Sequence, residues 1–266
     1  MTAQEDPEKW SDLAARAGSA GVMLIIGTVG LWYGSHTFNV IVSVIAGLMV
    51  WELARMIAPR HRPLALQLGG LATIAALLSI YLPPGFALPL LLAPALIGFG
   101  QLAHYRATFL VFAGLVLLAS FGMMSVRSDF GFWWMLWLVL VVVATDVAGY
   151  FAGRMLGGPK FWPRVSPKKT WSGTIGGWVG AALVGAGFAM FKGVSAEVIG
   201  ISVAVSMASQ IGDIGESAIK RRMGVKDSSH LIPGHGGVLD RFDGMLGASI
   251  FLLLVGQIIG FPPGQM

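Results

Sequence analysis

Asp213, Glu216, Ser217 and Lys220 are spaced i, i+3, i+4 and i+7. On a helix these four share one face. A basic run follows, Lys220-Arg221-Arg222, then a loop rich in Gly, Ser, Pro and His, and then Asp240-Arg241-Phe242-Asp243. Two aspartates three residues apart at a helix start can point the same way. Hard carboxylate oxygens hold Mg²⁺, and Mg²⁺ neutralises a nucleoside triphosphate. Cationic side chains stabilise charge on a transferring phosphorus and on departing pyrophosphate. Gly234, Gly236 and Gly237 would let the backbone approach phosphates closely. Taken alone, the basic run reads equally well as an interfacial anchor on anionic headgroups. That second reading leaves the aspartates and the His-Gly-Gly turn unexplained.

Two further groups stand upstream. Ser166-Pro167-Lys168-Lys169-Thr170-Trp171-Ser172-Gly173 puts lysines and hydroxyls at the expected start of a helix. A helix N-terminus is an anion site by geometry and dipole. The segment reads either as a phosphate site, for nucleotide or lipid, or as a positive anchor with a serine N-cap. Asp146 lies deep in an apolar run, in Asp146-Val147-Ala148-Gly149-Tyr150-Phe151-Ala152-Gly153-Arg154. An acid at that depth is costly unless it is paired or lines a wet cavity. It would bind a metal, or partner a buried Lys or Arg. His235 is expected to hydrogen-bond phosphate rather than act as a base, because a phosphate monoester is already anionic near neutral pH. No GxxxxGK[ST], GxGxxG or HExxH is present, so P-loop, Rossmann and zincin chemistries have no support.

The elements that must position these groups are membrane helices. Hydrophobic residues make up 55% of the 266 and charged residues only 12%, where a soluble domain carries about 25% charged. With no cysteine, disulfides, thiolate zinc sites and cysteine nucleophiles are excluded. Glu5, Asp6, Glu8 and Asp12 crowd the N-terminus, a poor cationic start for a signal peptide. The first apolar run is therefore expected to be a retained helix. Nine runs are close to the ~20 residues a crossing helix needs: 18–34, 38–57, 64–82, 86–102, 107–124, 131–153, 172–191, 194–219 and 243–260. The fourth holds Pro89 and Pro94 and is expected to be kinked or partly re-entrant. With the N-terminus in the cytoplasm, sixteen of the eighteen Lys and Arg, Lys9 and Arg16 among them, fall inside; Arg127 and Lys192 fall outside. That asymmetry supports nine spans, N-terminus in and C-terminus out. The fold class is all-α and polytopic. Residues 1–124, nearly free of ionisable groups within their helices, are expected to be scaffold. Residues 125–266 are expected to be catalytic.

The segment 217–243 closely resembles the signature of the phosphatidate cytidylyltransferase (CDP-diglyceride synthetase) family. The resemblance rests on Ser217, Ile219, Lys220, Arg221, Lys226, Asp227, Ser229, Pro233, His235, Gly236, Gly237, Asp240, Arg241 and Asp243. The two upstream segments are similar as well, so the likeness covers roughly 146–243. It implies that the phosphate of phosphatidate attacks the α-phosphorus of CTP, giving CDP-diacylglycerol and pyrophosphate, with Mg²⁺ required. It also implies a homodimer. The compact chain without targeting segments suggests a bacterial inner membrane, the charge asymmetry puts the active site on the cytoplasmic side, and no nucleic-acid partner is expected. On these positions Asp213, Asp240 and Asp243 would hold the metal centre with Asp146 nearby, and a second cation, K⁺ or Mg²⁺, would fit. Lys226 and Arg241 would contact the triphosphate, with Asp227 orienting one of them and His235 beside it. Ser166, Lys168, Lys169, Thr170, Ser172, Ser217, Lys220, Arg221, Gly236 and Gly237 would complete the substrate contacts. Rival expectations are a sister enzyme with another lipid acceptor, a CDP-alcohol phosphotransferase and an ion-coupled transporter. The second would carry DG and AR elements that are not found, and the third would show inverted repeats.

Overall fold

The computed structural model of the chain describes residues 7–263, and side chains from Arg16 onward apart from Pro84. Glu5 and Asp6 lie outside the described residues, as do the side chains of Glu8, Lys9 and Asp12. Among the described residues the chain forms nine α-helices, one for each apolar run: α1 (Pro7–Trp32), α2 (Ser35–Ile57), α3 (Arg62–Ser79), α4 (Pro84–Gln101), α5 (Arg106–Ser125), α6 (Phe132–Leu156), α7 (Trp171–Lys192), α8 (Glu197–Arg222) and α9 (Leu239–Val255). A π-helical turn, Val126–Phe130, extends α5. Six of the helices, α2, α3, α5 with its π-turn, α6, α7 and α8, are long and apolar enough to cross a bilayer. The apolar parts of α1 and α4 are shorter, and α9 has 17 residues. The protein is a multi-pass, all-α membrane protein.

Two sequence expectations differ from the structure. Residues 154–171 are not only loop. They contain an antiparallel hairpin of β1 (Lys160–Trp162) and β2 (Ser166–Thr170), so Lys168 and Lys169 sit on a strand rather than in the first turn of α7. The cap of α7 is Thr170 rather than a serine: its extended backbone turns its hydroxyl to accept from Gly173 N at 3.2 Å. Helix α4 is assigned as one continuous helix through Pro89 and Pro94.

Small residues set the closest helix contacts. Helix α6 packs most extensively against α7. A Cβ on Gly149 would stand 3.0 Å from the Gly173 carbonyl, and one on Gly180 would stand 2.7 Å from the Ala148 Cβ. Between α8 and α9, a Cβ on Gly212 would stand 2.8 Å from Gly247 N. Without a hydrophobic drive between helices in lipid, such backbone approach is what makes the packing favourable. It also matters for chemistry: Asp213 adjoins Gly212, and the Asp243 carbonyl faces Gly212 across the interface.

The two cations assigned to the opposite end of the bundle are each held. Arg127 donates to the Leu31 carbonyl at 3.0 and 3.2 Å, satisfying the C-terminal end of α1. The Lys192 ammonium lies 3.4 Å from the Trp133 ring centre.

Candidate active site

The polar face of α8 meets the start of α9. Lys220 Nζ lies 2.6 Å from Glu216 Oε2, its i−4 neighbour, and 2.6 Å from Asp240 Oδ1. The other oxygen of Asp240 accepts from Gly237 N at 2.8 Å, Ser228 N at 2.9 Å and Ser228 Oγ at 3.0 Å. Asp240 therefore fastens the loop between α8 and α9 to Lys220. Ser217 donates to Asp213 Oδ1 at 3.4 Å.

The loop itself is a tight turn. Ile232 N donates to the Gly236 carbonyl at 2.8 Å, and His235 N donates to the Ile232 carbonyl at 2.9 Å. Gly236 has φ +81°, where a side chain is strained, and a Cβ there would stand 2.8 Å from Asp240 Oδ2. A Cβ on Gly237 would stand 2.6 Å from Glu52 Oε1. The space that these two glycines leave is filled by the protein's own carboxylates.

Glu52, on α2, is a residue the sequence reading missed. It is fully buried, and it accepts from Ser229 Oγ (2.6 Å), Leu239 N (2.7 Å), Val238 N (2.8 Å) and Ser228 Oγ (3.1 Å). Helix α1 also reaches the loop. Ser19 Oγ lies 2.9 Å from the Pro233 carbonyl and 2.8 Å from His235 Nδ1. The scaffold half thus touches the signature segment from two helices. An acid inside an apolar run was the available signal for Glu52. Nothing in the local pattern marks Arg16 or Ser19.

Two cavities open at this end of the bundle. The first, about 530 Å³, is lined by Arg16, Lys226, Asp227, His230, His235, Gly236 and Arg241. Three permanent cations and two histidines around one acid suit a polyanion. The second, about 370 Å³, lies between α6, α7, α8 and β2. Its walls include Asp146, Tyr150, Arg154, Phe161, Lys168, Lys169, Thr170, Gln210 and Asp213. Gln210 links two helices here, donating to the Thr174 carbonyl at 3.1 Å and accepting from Trp178 at 3.0 Å. The Lys169 ammonium forms an ion pair with Asp213.

Asp146, Asp213 and Asp243 lie within electrostatic reach of one another, and Arg241, a wall of the first cavity, acts on Asp146, a wall of the second. Among the described residues no group of three or more Asp, Glu or His side chains is gathered tightly enough to grip an ion as it stands. Asp146, Asp213 and Asp243 are each hard-oxygen donors, and Asp213 holds the Lys169 ammonium. The donor chemistry fits Mg²⁺.

Of the remaining expected contacts, Ser172 hydrogen-bonds the Gly157 carbonyl and lies 3.0 Å from Thr170 Oγ1, so it ties the hairpin to α7. Arg221 donates to the Val225 carbonyl at 3.4 Å and lines neither cavity. Ser166 begins β2 and also lines neither.

The sequence profile of the cytidylyltransferase family matches residues 14–259. The chain belongs to the cytidylyltransferase family. Its match takes in Arg16, Ser19 and Glu52 as well as the signature segment, so both halves of the chain are family sequence. The chain is 39% identical over 257 residues to the phosphatidate cytidylyltransferase of Brucella suis, covering 90% of this chain and 92% of that one. It is 41% identical over 150 residues to the phosphatidate cytidylyltransferase of Helicobacter pylori, 55% of each chain. It is also 41% identical over 123 residues to that of Staphylococcus aureus, 45% of this chain and 47% of that one.

Proposed function

We propose that this cytidylyltransferase is a phosphatidate cytidylyltransferase, joining CMP from CTP to phosphatidate to give CDP-diacylglycerol and pyrophosphate. The observation that carries the assignment is the pair of cation-walled cavities at one end of the bundle, in a chain that matches the family over residues 14–259. A two-substrate transfer between anions needs two anion-binding spaces meeting at one charged junction.

The first cavity receives the triphosphate. Arg16, Lys226 and Arg241 neutralise it, and His235 donates a hydrogen bond to it. The second cavity receives the lipid phosphate beside Lys168, with Phe161 and Ile214 on its walls toward the acyl side. A phosphate oxygen of phosphatidate forms a bond to the α-phosphorus of CTP. The bond from that phosphorus to the bridging oxygen breaks, and its electron pair leaves with pyrophosphate. Neither step requires a base, because the attacking oxygen is already anionic.

Asp146, Asp213 and Asp243 would hold Mg²⁺, which supplies charge neutralisation at the triphosphate. Lys169, paired with Asp213, lines the same cavity and would contribute its charge to the bound phosphate. Asp240, occupied by Lys220 and the loop, keeps the cationic wall in place. The basic end of the bundle faces the cytoplasm of a bacterial cell, consistent with the charge asymmetry of the loops and with the bacterial relatives.

The test is pyrophosphate release by detergent-purified protein with CTP, phosphatidate and Mg²⁺, each omitted in turn. Release that needs all three, with CDP-diacylglycerol as product, is the expected outcome. Release with a different lipid phosphate alone would move the acceptor assignment, and no CTP turnover by folded protein would overturn it.

A further inference from the structure

Glu52 has no part in the transfer described above, yet its carboxylate is as densely hydrogen-bonded as that of Asp240. It sits on α2 with 0% exposure, accepts from Ser229 Oγ, Val238 N and Leu239 N, and shares the one Ser228 hydroxyl proton with Asp240. No cation is paired with it among the described residues. Its charge is balanced instead by two hydroxyls and two backbone N–H groups at the start of α9, where the helix dipole favours a negative group.

The donors fall into two clusters. Ser228 and Ser229 directly follow Lys226 and Asp227. Val238 and Leu239 directly precede Asp240 and Arg241. Glu52 therefore joins the two ends of the loop whose flanking residues, Lys226 and Arg241, are cationic walls of the first cavity. Ser228 Oγ stands between Glu52 Oε2 at 3.1 Å and Asp240 Oδ2 at 3.0 Å, so one serine is pinched by carboxylates from α2 and α9.

We propose that Glu52 is a positioning residue for the nucleotide cavity, holding Lys226 and Arg241 at their working separation. The inference rests on the assignment of that cavity to CTP. It makes the N-terminal helices part of the catalytic apparatus rather than scaffold alone. Glu52 does not line the second cavity.

Glu52→Gln keeps the side chain's shape but turns an NH₂ group toward two donors. Movement of a positioning group by about 1 Å can cost roughly 100-fold in rate. The expected result in the full-length purified protein is a fall in kcat/KM for CTP of that order, with the KM for phosphatidate unchanged and the folded bundle retained by thermal unfolding. Hydrogen–deuterium exchange on the substrate-free protein should show faster exchange across 226–241, with α6 and α7 unchanged. Ser229→Ala, which removes one of the four donors, should move both readouts the same way but less. A rise in the KM for phosphatidate as large as any change for CTP, or unchanged CTP kinetics with unchanged exchange, would overturn the inference. A wild-type protein that does not turn over CTP would overturn the functional assignment instead, and the exchange measurement would still decide whether Glu52 holds the loop. If Glu52→Gln fails to fold, Ser228→Ala and Ser229→Ala carry the same test.

Discussion

Lys169, on a short strand outside the helical bundle, forms an ion pair with Asp213 on α8. The hairpin is thereby tied to the helix that carries most of the acidic face. An ammonium and a metal ion cannot both occupy the same carboxylate oxygen. Lys169→Met is expected to lower the Mg²⁺ concentration for half-maximal activity while reducing kcat by about 10-fold or more. Mg²⁺ titrations of CTP turnover in the variant and the parent check both directions at once.

Asp240 and Asp243 look alike in the sequence but differ in surroundings. Asp240 is enclosed by Lys220, Ser228 and Gly237, whereas among the described residues Asp243 has only the Gly244 N–H, at 2.7 Å, as a hydrogen-bond partner. Asp240→Asn should lose both activity and thermal stability. Asp243→Asn should lose turnover with little change in unfolding temperature. Parallel unfolding and activity measurements separate the two, and matching profiles would refute the division of roles.

Lys220 is shared between two carboxylates, each 2.6 Å away and each side chain 4% exposed. Removing one member of a buried charge group leaves the others uncompensated, at a cost of about 3–5 kcal/mol. Lys220→Met should destabilise by that order, and combining it with Asp240→Asn should restore part of the loss. Denaturation of the single and double variants measures the coupling.

Gly237 has no room for a methyl group, because a Cβ there would approach Glu52 Oε1 to 2.6 Å. Gly237→Ala should displace the loop and cost about 1–3 kcal/mol, with a matching fall in CTP turnover. Gly187→Ala, at a position with nothing within 4 Å of the new Cβ, is the control and should be neutral.

Much of this was legible in the chain because it is local. Asp213, Glu216, Ser217 and Lys220 share a face by helical spacing alone, and the structure places Lys220 on Glu216 one turn away. The apolar runs marked every helix because length and hydropathy are properties of one segment. The hairpin was hidden: strands of three and five residues carrying Lys, Pro and Ser show no apolar alternation. The Thr170 cap was read as a serine, since several hydroxyls in a row offer no local way to choose. Glu52 escaped for a different reason. One acid in an apolar helix looks like an exception until its four donors are known, and all of them lie far down the chain. Arg16 and Ser19 meet the loop only through tertiary packing, which periodicity does not encode.

The distance between Glu52 and its donors has a consequence for biosynthesis. Ser228 and Leu239 lie 176 and 187 positions beyond it. During translation α2 enters the bilayer long before any group that will hold its carboxylate has left the ribosome. The acid must wait at the lipid boundary while six further helices are threaded past it. Only when the beginning of α9 arrives can the charge be enclosed. Closure of the nucleotide cavity is therefore among the last events in the life of the nascent chain, and a polypeptide arrested before that point would carry an exposed acid by which quality-control proteases could tell it from a finished enzyme.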